Sequence, residues 1–238
     1  MHHRVVVVVG ASSGMGLAAA RRFHERGATV WMVARDMARL ERAAASIGSE
    51  RLHVLSADVG SEEGRARIVS VAERIDHLIF TAADLVYKPS RELGDADVMR
   101  AVRSKVVGPY LLAAAAAASM GEGDSITFVS GVAAERPIAG GSATGMVNGA
   151  INAMVRGLAL ELAPIRVNAV SPGWVETPFW DRIADPERRE RLFAAMRDRI
   201  PTRRIGTVDD VASMIEVAMT NRAVSGTILY VDGGQRLV

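Results

Sequence analysis

"VVVVVGASSGMG", Val5 to Gly16, decides the fold. Five β-branched residues in a row show no apolar–polar alternation. Such a run reads as a strand buried on both faces, as in a parallel sheet. Gly10 ends the run, and Gly14 and Gly16 follow at Gly-x-x-x-Gly-x-Gly spacing. "GMGLAAARRFHERGA" (Gly14 to Ala28) then sets apolar residues at helical spacing, with Gly27 to stop it. Strand, glycine turn and helix in that order open a βαβ unit.

The same pattern repeats down the chain. "TVWMVA", "LHVLSA", "HLIFTA", "SITFVS", "IRVNAV" and "TILYVD" read as strands two to seven. Helices are expected at "DMARLERAAASI", from about Ser61 to Arg74, from Asp95 to Met120, from Gly140 to Ala163 and from Val208 to Met219. Alternation of this kind gives right-handed parallel crossovers with helices on both faces. The expected class is α/β, a doubly wound, mainly parallel seven-stranded sheet. No composition break marks a linker, so residues 1–238 are expected to form one domain. The least regular segment, about 174–204, is placed to cover the carboxyl ends of the strands as a lid. "AAAAAA" at Ala113 to Ala118 requires a close neighbour, either the sheet or a second subunit.

Composition bounds the function. Hydrophobic residues make up 49% and charged residues 24%, with a net charge of +2 and a mean hydropathy of +0.15. This is a globular composition with nearly balanced charge, so neither nucleic acid nor a membrane is expected as a partner. The Arg-rich run from Asp181 to Arg204 is interleaved with acids and reads as a solvated helix face. Cysteine is absent, which excludes disulfides and thiolate chemistry, and no metal is expected. The first apolar run is too short to span a bilayer and lacks a cleavage region, so a cytoplasmic location is expected.

The glycine turn carries the first chemistry. Glycine lets a pyrophosphate approach the main chain, and a helix N-terminus supplies free N–H groups and a positive dipole end. Gly10, Ser12, Ser13, Gly14, Met15 and Gly16 are candidate contacts for a dinucleotide. The end of strand two selects among dinucleotides. An acid there binds ribose hydroxyls, whereas Arg35 in "VWMVARD" pairs with a 2′-phosphate and favours NADP(H) over NAD(H); Asp36 follows directly.

These pieces together resemble the short-chain dehydrogenase/reductase family over essentially the full length. "GASSGMG" looks like its cofactor loop, and "SADV" like the segment whose Asp, here Asp58 beside Val59, contacts adenine. "RGLALELAPIRVNAVSPGWVETP" is similar to its helix–strand–loop run, and "GTILYVDGG" to its last strand. The resemblance implies a Rossmann domain, a small-molecule substrate, and usually a homodimer or homotetramer. It further implies that Pro172 and Gly173 shape the nicotinamide pocket, that Val175 and Thr177 hold the carboxamide, and that Ala82 and Ala83 border the cofactor.

The family's catalytic set is Ser, Tyr and Lys, with an Asn on the central helix. Its Tyr is the general acid, and its Lys lowers the Tyr pKa and holds the ribose. Anchored on "LALELAP", the Tyr position falls on Thr144 and the Lys position on Asn148. The Ser position falls on Gly131, beside Ser130, and the Asn position on Lys105. The chain has two lysines, Lys88 and Lys105, so no displaced Tyr-x-x-x-Lys exists. Tyr87 and Tyr110 lie outside the expected helix. Lys105, Asp84, Thr144, Asn148 and Ser130 are therefore the candidate active-site groups. Lys105 in an apolar cleft has a lowered pKa and can act as an acid or as an oxyanion clamp, with Asp84 as its partner; pointing to solvent, it does neither. Three functions stand open. One is an NADP(H)-dependent oxidoreductase of a carbonyl or imine with non-standard proton delivery. Another is a non-redox isomerase, cyclase or lyase, and the third a silent nucleotide-binding protein.

Overall fold

The computed structural model describes residues 1–48 and 50–238, with Arg182 by its backbone alone. Seven strands form one parallel sheet: β1 (Val5–Val9), β2 (Thr29–Ala34), β3 (Leu52–Ser56), β4 (His77–Phe80), β5 (Ser125–Val129), β6 (Arg166–Pro172) and β7 (Ile228–Val231). Their spatial order is β3-β2-β1-β4-β5-β6-β7. The order reverses between β1 and β4, where Val9 pairs with Phe80. That reversal opens a crevice above the carboxyl ends of the strands.

Every residue from Val6 to Val9 is buried, as the uninterrupted β-branched run requires. Val6 and Val8 face one apolar cluster, with Phe23, Met32 and Ile215. Val7 and Val9 face the other, with Leu78, Phe128 and Leu158. Successive side chains of one strand thus supply both layers. Helices α1 (Gly14–Glu25), α2 (Met37–Ala45) and α8 (Val208–Thr220) serve the first layer. Helices α3 (Glu62–Val69), α5 (Gly108–Ala116) and α6 (Ser142–Glu161) serve the second. Thr207 and Asp210 form a reciprocal capping box at the start of α8.

Two expected helices differ. The one after β3 stops at Val69, where Ser70 caps it, instead of reaching Arg74. Arg74 turns back to pair with Asp76 and Asp124 below the sheet. The helix expected from Asp95 to Met120 is α4 (Asp95–Val102), a π-helical turn over Arg103–Val107 and then α5. Gly108 approaches the Val59 carbonyl so closely that a Cβ there would lie 2.5 Å from it. The alanine run divides: Ala113 and Ala116 pack on the sheet, while Ala114 and Ala115 are exposed.

The 174–204 segment carries α7 (Pro186–Arg199). Phe193 is its one buried residue among those described; it packs with Ile200, Ile205, Trp174, Trp180 and Met196 in a small separate core. The Arg-rich face is exposed, with Arg189 paired to Asp181 and Arg197 to Glu190; the Arg182 side chain lies outside the described residues.

Candidate active site

A cleft of about 1170 Å3 opens above the strand ends. The structure brings every candidate site residue named above to its walls. The glycine turn forms one end. Gly10 has φ +98°, and a Cβ on it would lie 2.4 Å from the Ala82 backbone nitrogen, so only glycine allows this approach. Thr81 fixes the turn by donating from its hydroxyl to the Val9 and Gly10 carbonyls, at 3.0 and 3.2 Å. No side chain caps α1, so its first-turn amides are left to a ligand or solvent. That open cradle fits a dinucleotide pyrophosphate.

At the end of β2, Arg35 is the first residue off the strand. It does not reach freely across the cleft: it makes a two-pronged ion pair with Asp84, at 2.8 and 3.2 Å. Those hydrogen bonds hold its guanidinium above the usual arginine range. Asp84 is thereby corrected from its expected role beside Lys105. It lies off the end of β4, across β1 from Arg35, and its carboxylate is taken up by the guanidinium. Asp36 is turned away from ribose duty, since its carboxylate accepts the Arg39 N–H and caps α2. Arg39, one turn into α2, also lines the cleft. Its place, four residues beyond Arg35 on the opening turns of a helix, was readable in the sequence.

The inner wall holds the other candidates. Lys105 sits on the π-helical turn, 6% exposed. Its Nζ donates to the Ser130 carbonyl at 3.2 Å. Burial pulls its pKa down to about 7. Lys105 therefore points inward, and π-turns often mark functional positions. The Thr144 hydroxyl donates to the Val86 carbonyl at 3.0 Å. The Asn148 amide donates to the Gly131 carbonyl at 3.3 Å, and its Oδ1 is buried without a partner. Ser130 is spoken for: its hydroxyl donates to the Asn152 side chain at 2.7 Å and to the Asn148 carbonyl at 3.1 Å.

Gly131 and Asn148 interlock. A Cβ at 131 would lie 2.8 Å from the Asn148 amide nitrogen. Gly131→Ala is expected to lower stability by about 1–2 kcal/mol, because the amide must give up its buried hydrogen bond. In an Asn148→Ala background that cost should vanish; a double-mutant cycle in urea measures it, and equal costs in both backgrounds would break the link.

Sequence reasoning set Tyr87 aside because it lies outside α6. The structure brings it to the cleft from the loop after β4, packed against Phe179 at 5.7 Å between ring centres. Burial pushes its phenol pKa up, with the Thr144 hydroxyl pulling it the other way. No periodic signal marks a residue in so irregular a loop.

Comparison with known proteins places this geometry. A family model described as enoyl-(acyl carrier protein) reductase matches residues 10–236. The chain is 32% identical over 253 aligned residues to the short-chain dehydrogenase/reductase ucsE of Acremonium sp, covering 98% of this chain and 96% of that one. This chain belongs to the short-chain dehydrogenase/reductase family. Two solved structures extend the likeness. The MalC reductase/Diels-Alderase of Malbranchea aurantiaca matches with a TM-score of 0.93 at 27% identity, covering 100% of this chain and 98% of that one. A small-chain dehydrogenase in complex with NADPH matches with a TM-score of 0.85 at 27% identity, covering 99% and 100%. As a short-chain dehydrogenase/reductase the chain is an oxidoreductase of a family that binds a nicotinamide cofactor. Among the described residues, no helix of this family member is long and apolar enough to cross a membrane. No cluster of His, Cys, Asp or Glu there could hold a metal ion.

Proposed function

We propose that this protein is an NADP(H)-dependent reductase of a small carbonyl- or imine-type substrate that takes its proton from Lys105 and not from a tyrosine on α6. The buried Lys105 carries this reading. It is the cation of the inner wall, it donates to the Ser130 backbone carbonyl, and its pKa near 7 suits proton transfer at neutral pH. Thr144 and Asn148 leave no phenol and no ammonium on the α6 side.

A reduced nicotinamide nucleotide, when bound, supplies a hydride. Gly10 to Gly16 would hold its pyrophosphate, and Asp58 and Val59 its adenosine. Ala82 and Ala83 would border it, and Pro172, Gly173, Val175 and Thr177 would hold its nicotinamide end. Lys105 Nζ holds the proton that the reduced oxygen or nitrogen takes up, and its charge stabilises the negative oxygen before transfer. An iminium or conjugated carbonyl, already electron-poor, needs the least help. Residues 1–238 act as one nucleotide-binding unit, and the 174–204 segment works as a lid that excludes water.

Arg35 and Arg39 support NADP(H), and a structural relative holds NADPH. NADPH is expected to bind about tenfold or more tighter than NADH, the worth of one charge-assisted phosphate contact. Arg39→Ala should remove most of that difference. Fluorescence titration reads both: equal affinities would remove the NADP preference, and no binding of either would end the cofactor reading. NADPH consumption over a panel of carbonyls and imines tests the reduction itself.

A second reading, a cyclase on the same frame, draws support from the structural relative named both reductase and Diels-Alderase. Turnover without NADPH loss would favour it. Absence of any turnover would favour a silent nucleotide-binding protein.

A further inference from the structure

Beyond the Lys105 wall, the cleft reaches the 174–204 segment and changes character. Four of the chain's exposed large apolar side chains line it: Tyr87 (37% exposed), Ile138 (46%), Ile183 (42%) and Leu192 (36%). They come in two pairs. Tyr87 and Ile138 belong to the loops after β4 and β5, and Ile183 and Leu192 to the segment that carries α7. Exposed apolar side chains lining one cleft gain by burial against an apolar ligand. A concave site of this size, with Lys105 on its inner wall, takes a small molecule.

Charge divides the cleft in the same way. Its lining acids are Asp36, Asp58 and Asp84. They stand off the ends of β2, β3 and β4, and two of them are committed: Asp36 caps α2 and Asp84 holds Arg35. No acid lines the outer half among the described residues, and the nearest, Asp181 and Asp185, stand beside Arg188 in an adjoining hollow. The outer half has two arginines, Arg136 from the loop after β5 and Arg188 from α7. Neither forms an ion pair among the described residues, though Arg188 acts through space on Asp185. Glu135, next to Arg136, is taken up by Asn152 and Tyr230.

We propose that the outer cleft selects a flat apolar substrate that carries an anionic group. Its body lies between Tyr87 and Ile138 on one wall and Ile183 and Leu192 on the other, with Arg136 and Arg188 meeting the anion. This rests on the reading of the cleft as a reductase site, and it orients the substrate: the reacting carbon–oxygen or carbon–nitrogen bond points to Lys105, and the anion points to the mouth.

Trp174 and Trp180 line the same half, so bound ligand reports in tryptophan fluorescence. The test titrates 2-naphthoate, 2-naphthalenemethanol and 2-naphthylmethylammonium into the full chain, alone and saturated with NADP+. The carboxylate is expected to bind about tenfold tighter than the alcohol, the worth of a charge-assisted contact at a partly open site. Arg136→Ala and Arg188→Ala should each weaken the carboxylate roughly three- to tenfold and leave the alcohol within about twofold. Equal binding of all three probes, tightest binding of the ammonium, no binding of naphthoate, or indifference to both arginine substitutions would overturn the proposal. NADPH titration of the same samples separates the two claims. Cofactor binding without naphthoate binding sinks this inference alone, whereas naphthoate binding without cofactor binding sinks the reductase reading and with it the orientation toward Lys105, while the anion-selective cleft stands.

Discussion

Replacing Lys105 by Met is expected to lower turnover about 10²- to 10³-fold while leaving NADPH affinity within about twofold, the pattern of a lost proton donor and oxyanion clamp. The wild-type rate of reduction should fall as pH rises through about 7, where burial sets the Lys105 pKa, because the ammonium is the form that donates. The oxidative direction should show the opposite slope, and the Met variant should show neither. Misfolding is excluded by the sign of the stability effect. A lysine whose folded pKa lies below its unfolded value destabilises the fold at low pH. That cost is full below about pH 7, shrinks as pH climbs toward the ordinary lysine value near 10.4 and is absent above it. Lys105→Met removes it, so thermal stability at neutral pH should hold or rise. A variant that keeps both its rate and its pH slope would refute the role of Lys105. One that loses rate together with stability would trace the loss to packing.

The second large effect separates two glycines of one motif. Gly16→Ala should cost about 1–3 kcal/mol of stability, the range for forced overpacking of a closed site. A Cβ there would sit 2.3 Å from the Gly10 carbonyl oxygen and 2.4 Å from the Thr81 hydroxyl, and neither can retreat. Gly14→Ala meets only ordinary contacts, the nearest being Thr177 at 3.6 Å, but Gly14 has φ +55°. Its fold should survive with a cost of about 1 kcal/mol. NADPH binding should nevertheless weaken about 100-fold or more, since the added methyl stands between the start of α1 and Thr177, where phosphate must approach the amides. Urea denaturation and cofactor titration on both variants give four numbers. If both variants fail in the same measurement, the distinction between a packing glycine and a ligand-facing glycine is wrong.

Much of the fold was legible because the sheet is parallel. Strands buried on both faces, such as Val5–Val9, announce themselves as apolar runs, whereas the spatial order of the seven strands is a property of the folded sheet. The glycine turn was legible for a related reason: close approach leaves no substitute for glycine. The π-helical turn at Arg103–Val107 was not, since its residues read as ordinary helix. Partners of charged side chains were the other blind spot. Asp84 was expected at Lys105 and stands with Arg35, because side-chain reach across a sheet edge depends on strand order and loop path, not on spacing along the chain. Tyr87 escaped for want of any periodicity in its loop.

The interlock of Gly131 with Asn148 sets the order in which the two positions can change. Position 131 has no room for a side chain while asparagine occupies 148, but position 148 does not depend on what could later appear at 131. Steps through sequence space that place a hydroxyl at 131 must therefore begin on α6. Substitution at 148 comes first or the intermediate is penalised, so the two sites form a ratchet with one easy direction. A chain held by such a contact gains a side chain at 131 only along an ordered path.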